Sequence, residues 1–290
     1  MRASRRYAGL VIGLLAVDLG GAMSPARSEQ PAVQTAQACQ PGSFRVAVDV
    51  GHTVALPGAI SARGATEYSF NLRLGENIKQ ALLNAGFDKT QLLITGAAPP
   101  LGLAERAARA NKMHADLFLS VHHDSVPDNL LQTWNYEGQE YHYNDNYPGY
   151  ALFVSYDNHD RTRSIMFGHL LGEELQARGL GYTPHYILPL MRHRRRELVD
   201  EAAGVYRYDQ LVVLRATHMP AVLLEAGSIV NRREELALAD PERVATESAA
   251  VVAAVEDFCA VLAKAHLARR GSVRRPGSHG HPVHAVKFGR

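Results

Sequence analysis

The stretch Arg45-Val46-Ala47-Val48-Asp49-Val50-Gly51-His52 decides the fold. Residues 45–50 alternate and are rich in valine, which predicts a β-strand that delivers Gly51-His52 to the turn at its C-terminal end. Open α/β sheets carry their chemistry at such ends, so His52 is the first candidate site residue. Downstream, Phe70, Leu74, Ile78 and Leu82 recur at helical spacing, with Thr66 placed as an N-cap and Gly86 as a stop. Glu67 then falls in the first helical turn. A short strand at 92–95, a helix at 103–113 and an apolar run at 116–122 follow, the last suited to a central strand ending at His122. Beyond them, 151–155, 211–214 and 221–224 read as strands and 163–177 as a helix. An alanine-rich periodic helix spans 241–266, with Pro241 in its first turn. Strands alternating with helices predict an α/β domain.

Three segments break this pattern. Residues 125–150 turn to Trp134, several tyrosines, asparagine, glycine and proline, and read as a long loop that carries substrate contacts or covers a site. Arg192, Arg194, Arg195 and Arg196 read as a solvated helical face. After Asp257 no acidic residue remains, and 268–290 reads as a flexible basic tail, with His279, His281 and His284 given no catalytic role.

The chain has 290 residues, 46% of them hydrophobic, enough for one catalytic domain, placed at 39–267. Arg2, Arg5 and Arg6 precede an apolar run at 8–17 and small residues at 20–28, the layout of a cleaved signal peptide over 1–28. The paired arginines resemble a twin-arginine export signal. The run is shorter than the roughly 20 residues a membrane span needs, and Asp18 interrupts it, so no stable membrane span is expected. Cys39 and Cys259 are the only cysteines, and in an oxidising compartment such a pair suggests a disulfide joining the two ends of the domain. A formal net charge of +2 and the lack of a Walker-type phosphate loop argue against a nucleic-acid or nucleotide partner.

Hydrolysing an amide at neutral pH needs a strong nucleophile and stabilisation of an oxyanion; an open-site zinc held by three protein ligands supplies both. His52, Glu67 and His122 are the candidate ligands, converging on one sheet edge. Singly, each has a plainer reading: a hydrogen-bonded structural histidine, or a glutamate complementing a helix dipole. His123 is excluded from the same metal, because successive strand side chains point to opposite faces. Glu225, following an apolar strand, would be desolvated beside a cation. It is the candidate to take a proton from the attacking water, with a structural salt bridge as the alternative.

Context favours the metal. Asp49-Val50-Gly51-His52, Gly64-Ala65-Thr66-Glu67, Leu103-Ala104-Glu105-Arg106, the run from Asp116 to His122, Val213-Leu214-Arg215, Pro220-Ala221-Val222-Leu223-Leu224-Glu225 and finally Asn231 with Glu234-Glu235 occur in an order that resembles the zinc-dependent N-acetylmuramoyl-L-alanine amidases of the amidase-3 type. The resemblance implies a three-layer α/β/α domain with a mixed, mostly parallel sheet, Zn2+ on His52, Glu67 and His122, and Glu225 as the catalytic glutamate. It also implies cleavage of the amide between N-acetylmuramic acid and L-alanine in peptidoglycan, in the periplasm of a Gram-negative cell. Family members acting in cell separation are held inactive until a partner opens the site. A protein activator is therefore expected as a partner, with 125–207 the candidate blocking segment. Thr53-Val54 stands where the family has a glycine pair, and His123-Asp124 where it has a small residue and asparagine, which makes Asp124 a candidate partner for a ligand histidine. Competing readings are a zinc peptidase acting on stem peptides and an inactive cell-wall binding protein of the same fold. The absence of H-E-x-x-H disfavours the first, and the presence of all three ligands with Glu225 disfavours the second.

Overall fold

The computed structural model describes residues 39–96 and 101–273; the leader at 1–28 and most of the tail lie outside them. In chain order the elements are β1 (Val46–Val50), α1 (Glu67–Asn84), β2 (Gln91–Leu93), α2 (Leu101–Lys112), β3 (Leu117–Asp124), β4 (Gln132–Tyr136), β5 (Gln139–Tyr143), β6 (Ala151–Val154), α3 (Arg161–Ala177), β7 (Glu197–Asp200), β8 (Val205–Arg207), α4 (Val212–Arg215), β9 (Ala221–Ser228), α5 (Glu234–Ala239) and α6 (Pro241–Val273). Seven strands form one sheet in the order β2-β1-β3-β9-β6-β8-β7. The half containing β2, β1, β3 and β9 is parallel, β6 runs antiparallel to β9, and β7 antiparallel to β8. The sheet is mixed and mostly parallel, as expected.

Alternation along β1 builds both layers. Val46 and Val48 face a core with Leu74 and Ile78 of α1, Phe167 of α3 and Phe258 of α6. Ala47 faces the opposite core with Phe118, Ala110 of α2 and Leu214 of α4. Helices therefore cover both faces, giving one three-layer α/β/α domain. Cys39 and Cys259 are bonded, with Cα atoms 5.2 Å apart and a sequence separation of 220 residues.

Five expectations are corrected. Residues 125–150 are not a structureless loop, because β4 and β5 pair as a hairpin. Its turn residues Glu137 (φ 51°) and Gly138 (φ 80°) both take the positive φ of a type I′ turn. Trp134, Tyr136, Tyr141 and Tyr143 share its half-buried face while the alternate positions are exposed. Residues 211–214 are not a strand. One helical turn forms instead, with the amides of Leu214 and Arg215 donating to the Leu211 carbonyl; a short apolar run does not distinguish the two states. Arg192 breaks the expected helical face with φ 49° and ψ −121°, and the guanidinium of Arg196 lies 3.6 Å from the ring centre of Tyr208. β3 and β9 also run past His122 and Glu225, so both side chains stand within strands rather than at their ends. The α6 helix also passes its expected end and takes in the first residues assigned to the tail.

Candidate metal centre

The C-terminal ends of β1 and β3 and the first turn of α1 meet at one sheet edge. The Gly51 amide donates to the Val121 carbonyl, after which His52 turns with φ 65°, a conformation rare for a residue with a side chain and concentrated at functional sites. Thr66 caps α1 by accepting the Ser69 amide at 3.3 Å, which sets Glu67 as the first helical residue. His52 Nε2 lies 3.0 Å from Glu67 Oε2, and His122 Nδ1 lies 3.0 Å from Glu67 Oε1. One ligand atom from each of the three lies within 4.8 Å of the others.

Two glycines make room for this cluster. A Cβ on Gly51 would come within 2.4 Å of the His122 ring, and one on Gly58, at φ 78°, would meet Glu67 and His52. The Glu67 side chain is 6% exposed, whereas His52 is 32% exposed, so the cluster opens to solvent on the His52 side. Burial alone would raise the Glu67 carboxyl, but hydrogen bonds from His122 and His52 outweigh it and hold the group well below the usual range. Two imidazoles and one carboxylate, cradled and open on one side, match the donor set and count of a catalytic zinc site.

The supporting contacts come from residues whose roles the sequence left unassigned. Asn71, one turn beyond Glu67 on α1, donates to Glu67 Oε1 at 3.2 Å and to the Gly51 carbonyl at 3.3 Å. Its oxygen meets His123 Nδ1 at 2.7 Å, so His123 turns away from the cluster, and burial pushes its pKa down to about 3, keeping it neutral. Arg106 pairs with Asp49 at 2.9 Å and donates to the carbonyls of Val50 and His52, while Ser120 donates to Asp49 at 2.8 Å. This buried network fixes the backbone that carries His52. A helical i,i+4 offset for Asn71, and Asp49 and Arg106 in the quoted motifs, were the signals available.

Glu225 is register-paired with His122 in the parallel β3–β9 ladder, so the two side chains leave the same face of the sheet. It stands beside the three-residue cluster, not in it. Its Oε2 is buried without a hydrogen-bond partner. Burial, reinforced by the charges of Asp124 and Glu67, pushes its carboxyl well above the usual range. Asp124 does not hold a ligand histidine: Tyr186 and the Ser125 amide each donate to its Oδ1 at 2.7 Å, and its Oδ2 faces His185 Nε2 at 3.7 Å. The bulge after His122 redirects the strand and accounts for this.

Asn231, Glu234 and Glu235 knit the surrounding loops. Asn231 accepts the amides of Arg233 and Glu234, Glu234 accepts those of Ser228 and Gly149, and Glu235 holds the amide and guanidinium of Arg63. The β4–β5 hairpin joins this knot, Trp134 donating to the Ala62 carbonyl at 2.8 Å.

Comparison with known proteins agrees with this geometry. A family model described as N-acetylmuramoyl-L-alanine amidase, of the amidase-3 type, matches residues 46–257. The N-acetylmuramoyl-L-alanine amidase AmiA of Escherichia coli is 34% identical over 128 residues, covering 42% of this chain and 43% of that protein. The match thus spans less than half the length of this curated relative. Among solved structures, the amidase Ami1 of Mycobacterium smegmatis superposes with a TM-score of 0.58 at 18% identity, covering 75% of this chain and 97% of its own. The CwlD amidase of Clostridioides difficile, solved in complex with the GerS lipoprotein, gives 0.53 at 16% identity, covering 75% and 99%. At those identities the structures share the fold, while the family model covers most of the chain. The chain belongs to the N-acetylmuramoyl-L-alanine amidase family of the amidase-3 type.

Proposed function

We propose that this protein is an exported zinc-dependent N-acetylmuramoyl-L-alanine amidase that hydrolyses the amide between N-acetylmuramic acid and L-alanine in peptidoglycan. The observation that carries the reading is the convergence of His52, Glu67 and His122 ligand atoms within 4.8 Å, with Glu225 on the adjoining strand. Zinc held there would polarise the scissile carbonyl and acidify the attacking water. The protein's own part is proton handling and orientation. Glu225, with one oxygen free of any partner, takes the proton from the water as the new C–O bond forms. It then delivers that proton to the alanine nitrogen as the C–N bond breaks, so that an amine and a carboxylic acid leave, the acid passing its remaining proton to the amine or to solvent. Asn71 and the Asp49–Arg106 pair keep Glu67 and His52 in place through the cycle.

Export is supported by the basic, apolar and small-residue layout of 1–28, and by the Cys39–Cys259 bond, which persists in oxidising compartments. Among the described residues no helix is long and apolar enough to cross a membrane. A periplasmic site of action follows from this reading. A protein activator belongs to it too, by analogy with the lipoprotein complex of CwlD. The test is digestion of purified sacculi by the metal-loaded mature protein, alone and with periplasmic extract from its own source. Release of peptides with free L-alanine amino termini supports the amidase, and release only with extract supports the activator. Release of fragments cut within the stem would replace the reading with a peptidase.

A further inference from the structure

Beside the cluster, on the face of the sheet covered by α2 and α4, lies a cavity of about 230 Å3. His52 and His122 form one side of it, and Leu56, Leu103, Val212 and Leu223 form much of the rest. The one-turn helix α4, found in place of the expected strand, brings Val212 and Val213 to this wall. Its charged groups are committed elsewhere: Asp49 and Arg106 pair with each other, and Arg106 also holds two backbone carbonyls. No charge is left there to recognise a carboxylate. Leu56, on the loop after His52, lines the pocket and is 46% exposed, which gives it an apolar rim.

The geometry points to this pocket as the seat of the side chain of the first stem residue, the amino acid whose nitrogen leaves; the assignment rests on the amidase reading above. His52 and His122 belong both to the cluster and to the pocket wall, so a substrate amide polarised at the cluster would hold one of its two substituents beside this pocket. Leu223 of the pocket is the same-face neighbour of Glu225 along β9, so the pocket lies on the side where the leaving amine must collect its proton. The space greatly exceeds a methyl group. The enzyme should therefore accept residues larger than alanine at this position, with selectivity set by Leu103 and Val212.

The test uses synthetic N-acetylmuramoyl amides whose first residue is glycine, L-alanine, L-valine or L-leucine, with the zinc-loaded wild type, Leu103→Ala and Val212→Phe. Zinc content and thermal unfolding are measured alongside. Wild type should cleave the valine amide with kcat/KM within about tenfold of the alanine amide, because a hydrophobic pocket discriminates weakly per methylene. Val212→Phe should lower the leucine-to-glycine ratio at least about tenfold, and Leu103→Ala should raise it, with zinc content unchanged. Either variant alone suffices if the other fails to fold. Changes common to all four substrates would place the acyl half in the pocket and overturn the assignment, as would unchanged ratios in both variants. No cleavage of any amide by the wild type, with or without the periplasmic extract that would supply an activator, overturns the amidase reading and the assignment with it.

Discussion

Glu225 has no role in packing that requires ionisation: its free oxygen is buried and its carboxyl is pushed up by its surroundings. Glu225→Gln keeps the shape and removes the base, so kcat should fall about 10²–10⁴-fold while metal content, measured by mass spectrometry, stays at the wild-type level. Loss of metal with activity would instead make Glu225 a structural partner of the cluster. Gly51 gives the complementary case. A Cβ there collides with the His122 ring, so Gly51→Ala should abolish stoichiometric zinc binding while the far-ultraviolet circular dichroism stays native. Retained zinc would show that His122 is not a ligand. The four candidate residues could be named from the sequence because each sits in a short motif, on the turn after β1, at the start of α1, or in the C-terminal half of β3 or β9. Asn71 and Tyr186 were not, since their contacts reach across elements that only tertiary packing brings together.

At the scale of elements, the β4–β5 hairpin was hidden by its composition. Its turn is Glu-Gly, not the Asn-Gly or Asp-Gly that signals a type I′ turn, and its aromatic face packs on a loop, not on a hydrophobic core. The hairpin rests on Arg63, Gly64 and Arg232 while His52 stays one-third exposed. Deleting 132–143 should therefore leave basal hydrolysis unchanged or lower it, as read by peptide release from sacculi. A severalfold increase would restore the role of a covering loop. On α6, burial pushes Glu247 up to about 7 despite its 2.6 Å contact with Arg243. Its folded pKa thus lies above the usual 4.5 of the unfolded chain, so its contribution is most favourable below that value and is lost as pH rises through 7. The loss corresponds to about 3 kcal/mol. Glu247→Gln should shift the difference in Tm between variant and wild type in the variant's favour from pH 4.5 to pH 8, and a pH-independent difference would contradict this placement.

For the whole molecule, the alternation of strands and helices and the two layers were readable from periodicity, because β1 and β3 are buried on both faces and α1 and α6 carry clear apolar stripes. The edge strand β7 and its neighbour β8 escaped notice, each being only three or four residues long. The Cys39–Cys259 bond closes nearly the entire domain, and reducing it should lower stability by about 2–5 kcal/mol in denaturant melts. All of these features serve one claim, that the edge formed by β1, β3, β9 and the start of α1 is a zinc centre for cutting the glycan from its stem. The most direct measurement is mass spectrometry of purified peptidoglycan digested by the mature, zinc-loaded protein, with a chelator-treated sample and Glu225→Gln in parallel. The account requires free stem peptides beginning at L-alanine, lost in both controls. Products that keep the muramoyl-alanine amide while another bond is cut, or cleavage that survives the chelator, would contradict it.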